Sequence, residues 1–124
     1  MTKEELKAAL CAAIEKRLED IRAIGLSIAE EPELGYKEVK TSAKVQEAFD
    51  RLGIAYETGF GVTGVKARLA GAGHRRTVAL LGELDAIVCR EHPMSDPVTG
   101  AAHCCGHNVQ IANLVAVAMA VKDV

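Results

Sequence analysis

The chain has 124 residues, of which 49% are hydrophobic and 26% charged, and its formal net charge is −2. This is one domain's worth of chain or less, and it is too apolar to be disordered. The faintly acidic balance, with no basic run, argues against nucleic acid and against a charged membrane surface as partner.

Aromatics make up only 3% and Trp is absent, so the core must come from Ala, Val, Leu and Ile. The start, "MTKEELKAAL", has neither an apolar segment nor a small-residue cleavage site, so no signal peptide is expected. The apolar run near the C-terminus, "VAVAMAV", falls short of the ~20 residues that a membrane span needs. The expected compartment is the cytoplasm. Four cysteines there suggest metal binding or reactivity before disulfides.

Thr2 and Glu5 have the spacing of a capping box. Leu6, Leu10, Ile14, Leu18, Ile21 and Ile24 then recur at three- and four-residue intervals, which predicts one amphipathic helix over roughly 3–30. Gly25 should weaken it, and Pro32 stops it. A second helix is expected over about 41–52, capped by Thr41 or Ser42. Val45, Phe49 and Leu52 form its apolar face, and Gly53 ends it.

The pattern then turns β-like. Val65, Ala67 and Leu69 alternate with Lys66 and Arg68, as in a strand with one wet face. His74 should lie in a solvated turn. "TVALLG" is continuously apolar and predicts a strand buried on both faces. A long polar loop is expected over 86–103. The final segment, "NVQIANLVAVAMAVKDV", predicts a helix that is apolar nearly all round. Such a helix has to be covered on every side, either by a partner chain or by more of a larger domain. The fold class is α/β with a central sheet.

Gly59, Gly61 and Gly64 formally match the dinucleotide fingerprint, and Asp85 lies where a ribose-binding acid would. That mechanism needs a helix to open at the third glycine. The period-two stretch "VKARLAG" follows instead, so a glycine-rich β-turn is the expectation.

The stretch "AAHCCGHN" concentrates the chemistry. Cys105 and His107 flank Gly106, whose backbone freedom lets a tight loop aim both side chains at one point. Thiolate and imidazole together suit zinc and similar divalent metals. A helix start just beyond favours the thiolate. His103 and Cys104 are further candidates nearby. The alternatives are a buried Cys beside a loop His, or a reactive thiol pair. Upstream, "LLGELDAI" brings Glu83 and Asp85 to a strand end, where sites gather in α/β sheets. Asp85 could bind metal directly or hold a ligand histidine by its second nitrogen. Cys89 and His92, in the long loop, could line a substrate site. Cys11 reads as an ordinary helix thiol.

Taken together and in order, "PELGYKEVKTS", "GFGVTGVKARLAG", "GELDAI" and "HCCGHN" resemble the N-terminal third of the M20 metallopeptidases. The resemblance covers about 10–124. It is nearest to the amidohydrolases that act on N-acyl amino acids and aminobenzoyl-glutamate. It implies a zinc-peptidase-like α/β catalytic domain with a central mixed sheet flanked by helices. Residues 1–124 would be its N-terminal portion, truncated, without the dimerisation domain that this family inserts. The implied active site holds two divalent metal ions, zinc, manganese or cobalt. Cys105 and His107 fall on metal ligands, and Asp85 on the catalytic aspartate that orients the site from behind them. Glu83 stands where many relatives have a ligand histidine. Cys104 stands where alanine is commoner, and Glu31 where His or Asn is usual. Asn108 stands for a usual Asp and, with "DPVTGAAH", leans towards the aminobenzoyl-glutamate branch.

The family's catalytic glutamate and remaining ligands lie beyond these matched positions. The implied activity is therefore amide hydrolysis of N-acyl or aminobenzoyl amino acids by a complete enzyme. The chain alone is expected to be inactive, needing a C-terminal part or a partner chain. The rival expectation is a non-catalytic metal-binding or thiol module that pairs with another subunit. A redox protein using Cys104 and Cys105 is a third.

Overall fold

The computed structural model describes residues 1–73 and 76–124. The expected turn at His74 lies outside the described residues. In chain order the elements are α1 (Lys3–Lys16), α2 (Leu18–Glu30), α3 (Val39–Arg51), β1 (Tyr56–Phe60), β2 (Gly64–Ala67), β3 (Ile87–Val88), β4 (Ala101–Ala102) and α4 (His107–Asp123).

The capping box forms at the start of α1. The Thr2 N–H donates to the Glu5 carboxylate at 2.7 Å, and the Glu5 N–H donates to the Thr2 hydroxyl at 3.2 Å. The single long helix predicted from the stripe is two helices, because Arg17 leaves helical geometry at φ −110°, ψ 13°. No glycine or proline marks this break. The Arg17 guanidinium reaches Asp123 at the far end of α4 through two bonds of 2.7 Å, tying the α1–α2 junction to that terminus. Gly25, the residue expected to weaken the helix, sits intact and buried inside α2. A Cβ on it would lie 3.2 Å from the Ala112 Cβ, so it lets α2 approach α4 closely.

The second helix begins at Val39, earlier than expected, and neither Thr41 nor Ser42 caps it; both are buried within it. The cap comes from Glu33, well upstream. Its carboxylate accepts the N–H groups of Lys40 (3.0 Å) and Thr41 (2.8 Å) and the Thr41 hydroxyl (3.0 Å). An anion there satisfies orphan donors and complements the helix dipole. Gly53 ends α3 as expected, at φ +61°. The Ile54 N–H donates to Phe49 O at 2.9 Å and the Gly53 N–H to Asp50 O at 3.0 Å, the paired bonds of a Schellman ending.

Strands β1 and β2 form an antiparallel hairpin, with Tyr56 opposite Ala67 and Phe60 opposite Gly64. The G-F-G-V-T-G stretch is its turn, so no helix opens at Gly64, as the alternation required. Val62 is held at φ +80° in this turn, a strained value for a β-branched residue.

The buried strand expected at 77–82 does not form. Val78 and Leu81 are 85% and 91% exposed, and the segment pairs with nothing among the described residues. Its apolar pattern suits a strand covered on both faces, but a strand also needs neighbours for its N–H and C=O groups. Among the described residues no central mixed sheet forms. Two separate two-stranded antiparallel sheets stand in its place, with one isolated parallel bridge between Leu34 and Ala86. The expected loop over 86–103 contains β3 and β4, with Ile87 opposite Ala102 and Val88 opposite Ala101.

Helix α4 packs against α1, α2 and α3. Ile111, Val115, Ala116 and Met119 meet Ile21, Ile28, Val45 and Phe49 in one core. Its alanines and Gly25 keep the helices close. Among the described residues α4 is left open on one side, where Val109, Asn113, Val117 and Val121, at four-residue spacing, stay exposed; this is surface that the sequence reading assigned to a partner chain or to more of a larger domain. No helix among the described residues is long and apolar enough to cross a membrane.

Candidate metal centre

The site lies where the segment after residue 82 meets the start of α4. Gly82 permits this meeting, since a Cβ there would come 3.1 Å from the Ile111 Cδ1. The Glu83 N–H donates to the Gln110 side-chain oxygen at 3.2 Å. On the other side, the Ala86 N–H donates to Glu33 O at 2.7 Å, and Leu34 bridges to Ala86. Positions 83–86 are therefore held from both flanks.

Gly106 precedes α4 in the left-handed region, at φ +91°, and turns the chain so that His107 opens the helix. Its φ is one that side-chain-bearing residues rarely adopt, which is the freedom the sequence pattern required. The His107 Nδ1 lies 2.8 Å from the Asp85 backbone oxygen and 3.1 Å from its carboxylate. The Nε2 lies 2.9 Å from a Glu83 carboxylate oxygen. Every one of these neighbours only accepts. The Nδ1–H donates to Asp85, which fixes the ring. At Nε2, which faces the Glu83 carboxylate, a metal cation between the two groups would be bound by both.

Ligand atoms of Glu83, Asp85 and His107 all lie within 4.8 Å of one another. Two carboxylates and an imidazole at that spacing suit a divalent cation, with oxygen and nitrogen donors and a carboxylate-oriented histidine. The residues present thus fit the metal that the sequence implied.

Of the residues singled out from sequence, Asp85 and His107 come together. Cys105 does not join this group. It is exposed on the turn before Gly106, outside the set whose ligand atoms converge. Glu83, weighed as a contributor only by its position, is inside the set. Its signal in the sequence was the carboxylate pair Glu83–Asp85 itself, since residues two apart in extended chain share a face.

His103 is 8% exposed, and neither of its ring nitrogens has a hydrogen-bond partner. Burial, and then the proximity of His107, lowers its pKa, while Asp85 opposes the shift. Desolvation, and then the neighbouring Cys89 thiol, push the Cys104 thiol pKa up.

Several other candidates prove to be braces. The Asn108 side-chain amide donates to Gly25 O at 3.2 Å, locking α4 to α2. Glu31 holds Lys40 and Lys44, each at 2.8 Å, and these lysines lower its pKa to about 2. His92 accepts the Met94 N–H at 3.1 Å within the loop. Cys11 is an exposed thiol on α1.

Over 99 residues the chain is 36% identical to IAA-amino acid hydrolase ILR1-like 5 of Arabidopsis thaliana, covering 77% of this chain and 22% of the relative. It is 39% identical over 105 residues to thermostable carboxypeptidase 2 of Saccharolobus solfataricus, covering 81% and 27%. A Bacillus subtilis protein named as an amidohydrolase, YhaA, is 37% identical over 90 residues, covering 70% and 23%. The chain thus spans about a quarter of the length of these curated relatives. No family model matches the chain, and no solved structure gives a significant match.

Proposed function

Because the chain belongs to the M20 family of metallopeptidases and amidohydrolases, we propose that it carries part of the metal centre of an enzyme that hydrolyses amide bonds of N-acyl or aminobenzoyl amino acids. The observation that carries this is the convergence of Glu83, Asp85 and His107. The printed names of the relatives support the substrate class, since they describe an amino-acid conjugate hydrolase, a carboxypeptidase and an amidohydrolase.

In this proposal His107 is a metal ligand through Nε2. Asp85 keeps the Nδ1–H engaged, which leaves Nε2 free to bind and raises its basicity. Glu83 supplies a carboxylate oxygen at the same point. Cys105 is proposed as a second ligand, reached when its exposed turn closes on the centre. A bound divalent cation would supply Lewis acidity towards an amide carbonyl and an acidified water. These residues hold and orient it; none of them is assigned as general base. A polypeptide of these 124 residues is therefore expected to bind metal without turning over amides.

The test is calorimetric titration of the chain with Zn²⁺ and Mn²⁺, together with an amide hydrolysis assay. Near-stoichiometric binding is expected. It should weaken at least ~10-fold in His107→Ala and Asp85→Asn, the loss typical of a ligand or its orienting partner, and it should weaken in Cys105→Ser. Binding untouched by His107→Ala would sink the metal assignment. Metal-dependent turnover by residues 1–124 would sink the division of labour.

A further inference from the structure

Glu38 directly precedes α3 and is only 6% exposed. Acidic side chains are almost never buried this far without a paired cation. Glu38 has a neutral donor instead. The Thr63 hydroxyl, in the turn of the β1–β2 hairpin, donates to its Oε2 at 2.7 Å. Thr63 is itself held, because the Ser42 hydroxyl donates to Thr63 O at 2.7 Å and the Gln46 amide donates to the Ser42 oxygen at 3.1 Å. Among the described residues no cation pairs with the Glu38 carboxylate. Lys40 and Lys44, on the adjoining helix, are both engaged by Glu31.

The second carboxylate oxygen, Oε1, lies towards the metal centre. A Cβ on Gly35 would come 3.9 Å from this oxygen and 4.0 Å from the Asp85 Cβ. Little more than the width of one side chain therefore separates Glu38 from Asp85, and Gly35 leaves that space without one. The segment that carries Gly35 is fixed to the centre, since the Ala86 N–H donates to Glu33 O at 2.7 Å and Leu34 bridges to Ala86.

We propose that Glu38 is a buried counter-charge of the metal centre, a role that rests on the metal reading of Glu83, Asp85 and His107. Glu38 is not one of the converging ligands; it acts through space. A carboxylate in low-dielectric surroundings attracts a divalent cation at this range, and the cation in turn compensates a charge that is otherwise buried without a partner. The Thr63 bond holds the carboxylate in place. A counter-charge and a mere brace for the hairpin turn differ in sign. A brace stabilises the metal-free chain, whereas an uncompensated buried charge costs it stability and favours the metal-bound chain.

The experiment is calorimetric titration of the 124-residue chain with Mn²⁺, paired with urea unfolding of the metal-free chain, for wild type, Glu38→Gln and His107→Ala. Glutamine keeps the carbonyl oxygen that accepts from Thr63 and removes the charge. Glu38→Gln is expected to weaken Mn²⁺ binding at least ~3-fold, and to leave the metal-free urea midpoint unchanged or raised. Wild-type affinity in Glu38→Gln, or weaker binding accompanied by a lowered metal-free midpoint, would overturn the counter-charge; a Glu38→Gln chain that does not fold counts with the lowered midpoint. Binding lost in His107→Ala yet unchanged in Glu38→Gln would overturn this role alone and leave the metal centre standing. No binding by the wild-type chain would overturn both.

Discussion

His103 shows how a single residue can run against the rule that buried polar groups are paired. Its ring is buried with both nitrogens unpartnered. An unsatisfied buried group forfeits about 1–3 kcal/mol relative to an apolar replacement of similar size. His103→Leu is therefore expected to stabilise the chain by roughly 1 kcal/mol, seen as a higher urea midpoint with an unchanged slope. A comparable loss of stability instead would mean that the ring has a partner. At this scale the sequence showed which residue types could make a site, and Asp85 with His107 could be read directly. The side-chain directions could not. The turn at 104–105 leaves Cys105 exposed, while the tether from Gln110 holds Glu83 beside His107.

Helix contacts explain most of what the elements do. Gly25 looked like a flaw in a helix, yet it lies against α4, where a Cβ would come 3.2 Å from the Ala112 Cβ. A branched side chain there must displace Ala112 or Asn108. Gly25→Val is expected to destabilise by roughly 1–3 kcal/mol, the range for overpacking. Ala112→Gly in the same chain should recover part of that loss, a favourable coupling measurable by a double-mutant cycle in urea. Additive losses would place the strain elsewhere. Element types were legible where periodicity was strong: the helices, the hairpin turn at G-F-G-V-T-G and the ending at Gly53 all follow from local pattern. Their joints were less so. The break at Arg17 carries no local signal, and the cap of α3 comes from Glu33, which lies outside the helix.

Across the whole molecule, ion pairs fasten the ends of the helical layer. Glu31 joins the end of α2 to Lys40 and Lys44 on α3, and Arg17 joins the α1–α2 junction to Asp123. The lysines lower the Glu31 pKa from 4.5 to about 2. A depressed carboxyl pKa gives stability that is fully present above the unfolded value and is lost as pH falls through the folded one. The stability difference between wild type and Glu31→Gln should thus be constant above about pH 4.5 and vanish towards pH 2. It should also shrink with salt, since Glu31 and Lys40 are solvent-exposed. A difference independent of pH would show that Glu31 acts through packing alone. What the sequence determined by itself is the set of local choices: amphipathic stripes, caps and stops, a glycine turn, and a Cys/His/carboxylate cluster whose spacing resembles a metallohydrolase. These depend on residues a few positions apart, and pattern records them. Only the tertiary structure decided that 77–82 lies unpaired, that α4 is covered on three sides and open on the fourth, and that Glu83 stands at His107. Those outcomes depend on which distant segments supply a neighbouring strand, a covering helix or a tethering amide, and local sequence does not encode such partners.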